Sequence, residues 1–146
     1  MNRTIKFRAL LKGQHFKGWQ YFALSDIRNF EIYDPETLCQ FTGLLDKNGK
    51  EIYEGDILKY TRKHWYCPRH PQHDTDLIDQ VEVYWDEERN SMSRRTFDFE
   101  RLKRNPNQAP YSSSGFLGNG WNDERADKNI VEIIGNIHSN PELLSN

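Results

Sequence analysis

The stretch from residue 40 to residue 60 constrains the fold more than any other part of the chain. Gln40-Phe41-Thr42-Gly43-Leu44 and Glu51-Ile52-Tyr53 read as strands, and Asn48-Gly49 lies between them. That pair between two strand-like runs is the strongest short-range hairpin signal, since a tight turn with positive φ at both central residues favours it. Glu54-Gly55-Asp56 then interrupts the second strand before Ile57-Leu58-Lys59-Tyr60 resumes it. Gly55 is free to adopt backbone angles closed to other residues. Two short strands joined at such a bend are how a chain turns the corner of a small barrel.

Period-two alternation recurs elsewhere. Ile5, Phe7 and Ala9 alternate with Lys6, Arg8 and Leu10, which predicts a first strand with one face buried. Lys12-Gly13-Gln14 offers a turn, and residues 16–21 return as a second strand. Asp34-Pro35-Glu36 suits either the start of a helical turn or a plain loop. Val81, Val83 and Trp85 share one face of a later strand and are expected in the core, with Asp86-Glu87-Glu88 as its charged end. The last strand spans residues 130–137, where Gly135 signals a bulge or a close backbone approach. Asn140-Pro141-Glu142-Leu143-Leu144 reads as a terminal helical turn capped by Asn140. Between these strands the rhythm fails. Residues 61–80 are expected to form a long surface loop, and residues 86–119 another, with a short helix near 97–103.

The resulting expectation is one domain over residues 1–146, mainly β with minor α, built as a small antiparallel barrel or curled sheet with long polar loops. An α+β arrangement is the alternative. Aromatic residues at 13% separate the chain from disordered sequences, which are poor in them.

Charge narrows the partners. Twenty Lys and Arg against 22 Asp and Glu leave −2 at neutral pH. Duplex nucleic-acid binders usually carry a basic excess, because phosphate contacts supply their affinity. No run approaches the roughly 18 apolar residues of a spanning helix. Met1-Asn2-Arg3-Thr4-Ile5-Lys6 leads into no apolar signal region, so a cytoplasmic location is expected. In that reducing compartment Cys39 and Cys67 are expected as free thiols.

Three blocks together carry a family resemblance. They are Ile5-Lys6-Phe7-Arg8-Ala9, then Gln40-Phe41-Thr42-Gly43-Leu44 with residues 46–58, and finally Glu132-Ile133-Ile134-Gly135-Asn136-Ile137 with Asn140-Pro141-Glu142-Leu143-Leu144. In this order they closely resemble the YopX protein family, small proteins of phages and prophages. The resemblance implies a small SH3-like barrel with added elements that support oligomerisation. It implies no assigned activity, so no functional residue is carried over. Residues 61–80 and 86–119 lie outside the matching blocks and are expected to vary.

Each candidate site also has a simpler role. His64, Cys67, His70 and His73 recur every third residue, within the range of zinc spacings. Pro68 and Pro71 favour an extended loop, in which ligands three apart lie about 10 Å from each other. The expectation is therefore a solvated loop with no metal. Glu54 and Asp56 could pair as acid and base, but Asp at a strand corner more often accepts bonds from turn amides. Arg94, Arg95, Arg101, Lys103 and Arg104, interleaved with Phe97 and Phe99, suit single-stranded nucleic acid, although Asp98 and Glu100 offset part of the charge. Trp65, Tyr66 and Trp121 in loop-like sequence suggest a partner surface, and a homo-oligomer is the expected use.

Gly118 and Gly120 lack the third glycine and preceding strand of a dinucleotide loop. Ser112, Ser113 and Ser114 before Gly115 lack the context of a nucleophile elbow. The functional expectation is a non-enzymatic, self-associating phage or prophage accessory module without cofactor. The alternative is a nucleic-acid-binding regulator acting through residues 94–104.

Overall fold

The computed structural model describes residues 5–62, 77–97, 111–116 and 131–144. Their order is β1 (Lys6–Ala9), β2 (Gln20–Ala23), β3 (Cys39–Leu45), β4 (Glu51–Tyr53), β5 (Asp56–Arg62), β6 (Leu77–Asp86), β7 (Ser91–Phe97), β8 (Tyr111–Phe116) and β9 (Val131–Asn136). Every helical segment among the described residues is 3-10: His15–Lys17, Leu24–Ile32, Pro35–Thr37 and Pro141–Leu144. The mainly β expectation holds. The barrel does not form among the described residues: the strands make two open antiparallel sheets, ordered β2-β1-β3-β4 and β8-β7-β6-β5-β9. None of the described helices is long and apolar enough to cross a membrane.

The corner at Gly55 explains the two sheets. β4 belongs to the four-stranded sheet and β5 to the five-stranded one, so the chain changes sheets across residues 54 and 55. Gly55 has φ +79°, where an L side chain is strained, and its amide donates to the Val83 carbonyl at 2.8 Å. A Cβ here would also sit 3.2 Å from Asn136 Nδ2. The expected bend is present, and it delivers the chain to a second sheet rather than closing the first.

The hairpin between β3 and β4 is also present, but its turn is longer than a two-residue one. Of its central residues only Gly49 has positive φ, at +78°. The Gly49 amide donates to the Asp46 carbonyl, and the Asp46 amide donates to the Lys50 carbonyl. This is the three-residue loop with a left-handed glycine. Asp46 selects it, because its buried side chain accepts from the amides of Asn48 at 2.8 Å, Lys50 at 2.9 Å and Ile133 at 3.2 Å. Burial disfavours the charge of Asp46, yet the amides of Lys50, Ile133 and Asn48 outweigh it and hold the carboxyl below its ordinary value.

Asp46→Ala should therefore cost about 1–3 kcal/mol near neutral pH, as buried amides lose their acceptor. Because the folded carboxyl is depressed, the stability it adds is fully present above the unfolded value near 3.8. It fades as pH falls through that value and then the folded one. Urea titrations at pH 7 and pH 3 should thus show the gap between wild type and Asp46→Ala shrinking in acid. An equal gap at both pH values would show that the carboxylate is not the anchor.

The main core lies where β3 and β4 meet the second sheet. Ile52, Leu58, Tyr60, Val81, Val83 and Val131 are buried together, with Leu44 and Ile133 packed against them. Trp85, expected beside the valines, is 38% exposed, because it sits past the last core valine at the hairpin end of β6. That hairpin closes through Asp86, which accepts from the Arg89 amide and pairs with the Arg89 side chain. Asp86 is a charged strand end, as read.

Other expectations shift. The second strand begins at Gln20, because His15–Lys17 coils into a 3-10 turn. Asp34 caps the turn Pro35–Thr37 by accepting from the Glu36 amide, which resolves that ambiguity towards a helical turn. The polar stretches are not wholly loop. Thr61 and Arg62 pair with Ile78 and Leu77, and most of the second stretch that is described forms β7 and β8. Phe97, placed at the start of a helix, ends β7 instead. These strands lack an apolar rhythm because polar side chains such as Arg95 are matched across the sheet.

At Gly135 both readings are correct. β9 carries an extra residue, since Ile57 pairs with Gly135 and Leu58 with Ile133. An added Cβ would also lie 2.6 Å from Leu143 Cδ1 and 2.9 Å from Asn140 Oδ1. Asn140, expected to cap the terminal turn, directs its side-chain oxygen back to the Asn136 amide at 3.3 Å, and it is its backbone carbonyl that accepts from the Leu143 amide.

Candidate functional site

Among the described residues a cluster of chemically capable side chains lies between the two sheets. Alternation along β1 places Phe7 on one face, stacked on Phe22 at 6.0 Å, and Arg8 on the other. Arg8 is 5% exposed although it was assigned to the polar face. Its guanidinium lies 4.4 Å from the ring centre of Trp19 and 4.7 Å from that of Tyr53. Nη2 donates to Asp56 Oδ1 at 2.5 Å. Asp56, the first residue of β5, also accepts from the Tyr53 amide at 2.8 Å and from Asn136 Nδ2 at 3.3 Å. Asn136 in turn accepts from the His138 amide, and the His138 ring meets Trp19 edge-on at 6.2 Å. The cluster thus ties β1 and β4 of one sheet to β5 and β9 of the other.

Its electrostatics suit a joint. Burial pushes the Asp56 carboxyl up, against the pull of Arg8, the Tyr53 amide and Asn136. Burial, then the neighbouring Glu51 carboxylate, raises the Tyr53 phenol, which donates to Glu51 Oε2 at 2.7 Å. Cys39, buried opposite Arg8 on β3, is pushed up to about 11 chiefly by desolvation, so it stays a thiol at neutral pH. Glu54, half-buried, is likewise raised by burial, which the amides of Gln40 and Trp85 oppose.

Glu54 and Asp56, weighed as an acid–base pair, therefore serve different contacts. Asp56 accepts a turn amide, the simpler role given to it. A buried cation between two rings, with its carboxylate partner holding three donors, is organised to bind the sheets together.

The basic run divides in the same way. Arg94 and Arg95 are neighbours on β7 and point to opposite faces. Arg95 makes a two-pronged pair with Glu82, at 3.1 and 2.9 Å, and lies over the Tyr84 ring. Arg94 lies over the Tyr60 ring. Both are partly buried, and they do not share one face of the sheet. Arg101, Lys103, Arg104 and Phe99 lie outside the described residues, as do His64, Cys67, His70, His73, Trp65, Tyr66 and Trp121. Among the described residues no group of three or more His, Cys, Asp or Glu could hold a metal ion.

Sequence reasoning missed Arg8, Trp19 and Asn136 as one unit. Their partners lie 48 and 80 residues apart, and no local spacing marks such pairs.

The exposed surface has a second concentration, this one apolar. Among the described residues nine large hydrophobic side chains are exposed, and Phe16, Tyr21, Leu24, Phe30 and Ile32 are five of them. They occupy β2 and the 3-10 segments on either side of it. Phe16 at 83% and Tyr21 at 61% are the most open.

A family model described as YopX protein matches residues 11–145. The chain is similar to the crystal structure of protein EF1440 from Enterococcus faecalis, with 21% sequence identity and a TM-score of 0.43, over 98% of this chain and 99% of that one. No curated protein matches the chain.

Proposed function

The chain belongs to the YopX protein family, and from that premise we propose that it is a non-enzymatic accessory protein of phages or prophages that works by docking, its own copies included. The observation that carries this reading is the contrast between its two concentrations of side chains. The titratable cluster is closed inside the joint between the sheets, where Asp56 is 1% exposed. The large apolar groups around β2 face solvent. Exposed large apolar side chains are the usual material of partner surfaces, and symmetric self-association is a common use of them.

Light scattering across a hundredfold range of concentration tests the reading. The expected result is a mass above the 17.4 kDa of one chain that falls on dilution. A mass of one chain at every concentration would remove the self-association. The nucleic-acid alternative rests on residues 94–104, of which Arg95 pairs with Glu82 and Arg94 lies over the Tyr60 ring. Gel shifts that weaken steeply with salt would favour it, since phosphate contacts release counterions.

A further inference from the structure

Among the described residues β9 is an outermost strand of the five-stranded sheet, and an open edge of that kind invites pairing with any extended chain. Its pairing with β5 sets Val131 against Tyr60, Glu132 against Lys59 and Ile133 against Leu58. The Val131 carbonyl and the Ile133 amide both turn away from β5, on either side of Glu132. In a wider sheet one residue of a further antiparallel strand, opposite Glu132, would satisfy both. Its amide would donate to Val131 and its carbonyl would accept from Ile133.

Among the described residues no strand does so, and a turn takes its place. The Lys47 amide donates to the Val131 carbonyl at 2.8 Å, and Asp46 Oδ2 accepts from the Ile133 amide at 3.2 Å. The Lys47 side chain pairs with Glu132 between them. Asp46 Oδ1 meanwhile accepts from the Asn48 and Lys50 amides, so one carboxylate both shapes the turn and seats it on the edge. The turn belongs to the other sheet, since it joins β3 to β4. A carboxylate oxygen and an amide thus stand where a neighbouring strand would present its carbonyl and its amide. We propose that the turn at residues 46–50 is an edge guard, which imitates one residue of a strand on β9 and, when released, leaves an edge that takes up extended backbone from another molecule. This concerns a contact that the native chain avoids, and it stands whether or not the docking proposed above does.

Asp46→Ala in the full chain tests it. Amide exchange at Ile133, followed by NMR, is expected to speed by about tenfold or more, while Val81 and Val83 in the central strand of the same sheet keep their protection. Sedimentation velocity is expected to show species of the variant larger than those of the wild-type chain at equal concentration, because an uncovered edge finds strands to pair with. Lys47→Glu sets a like charge against Glu132 but leaves the turn amides on Asp46, and it is expected to show both effects in lesser degree. It also carries the test if Asp46→Ala does not fold by circular dichroism. Ile52→Ala is the control, a destabilised chain whose guard is intact, and it is expected to add no larger species. Unchanged exchange at Ile133 in both turn variants would show that the turn does not cover the edge. Faster exchange without larger species would show that the uncovered edge takes up nothing. Larger species in Ile52→Ala to the same extent would assign them to lost stability, and the guard would fall.

Discussion

Asp56→Ala lowers the stability of the folded chain by about 3–5 kcal/mol, the cost of removing one partner from a buried ion pair. The carboxylate is 1% exposed and receives the Arg8 guanidinium, the Tyr53 amide and the Asn136 side-chain amide. Without it a cation remains enclosed between two rings with nothing to neutralise it, and a buried backbone amide loses its acceptor. Domains of this kind are stable by only about 5–15 kcal/mol in total, so the variant should unfold at much lower urea, and in the least favourable case at room temperature. The paired variant Arg8→Met/Asp56→Leu removes both charges and should recover the part of the loss due to the unpaired cation, while the Tyr53 amide stays without its acceptor. Urea unfolding followed by tryptophan fluorescence measures both. A loss below about 1 kcal/mol for Asp56→Ala would mean that the joint is hydrated and contributes as little as a surface pair.

The second large effect is expected at Ile52. This residue belongs to β4 of the four-stranded sheet, yet it is fully buried among Leu58, Tyr60, Val81, Val83 and Val131 of the other sheet. Ile52→Ala removes part of a side chain that bridges two layers and leaves a cavity, at a cost of about 2–5 kcal/mol. Because the residue is shared, both sheets should melt together and earlier, in one transition by circular dichroism and by fluorescence. Two separated transitions would show that the sheets are independently stable units.

Much of this architecture can be read from local pattern. The strands β1, β3, β4, β5 and β9 follow from alternation and turn residues, and Gly55 marks the corner because few other residues adopt its backbone angle. Gly135 marks a close approach for the related reason that a side chain there would strike Leu143 and Asn140. β7 and β8 escape such reading. Ser91, Ser93, Arg94 and Arg95 look like loop, and in the strand they form Arg95 finds Glu82 and the Tyr84 ring on β6 while Arg94 lies over the Tyr60 ring of β5. Trp85 fails in the opposite sense, since its alternation with the valines continues beyond the end of the core.

The joint as a whole could not be read from local pattern. Asp56 accepting a turn amide is a local matter and follows from its place at a strand corner, but the burial of Arg8 depends on Trp19, Tyr53 and Asp56, the last 48 positions away. The exposed concentration around β2 was hidden for a similar cause, because an apolar strand residue looks the same in sequence whether or not another layer covers it.

The order of letters by itself determined where this chain extends, where it turns and which glycines must stand at the bends, since those depend on backbone sterics and on neighbours a few residues away. Only the tertiary structure decided that the extended pieces form two sheets, that Arg8 belongs inside and that Tyr21 and Leu24 stay outside. Those outcomes are set by which distant surfaces meet, and a charge is buried or a hydrophobe exposed according to what arrives opposite it.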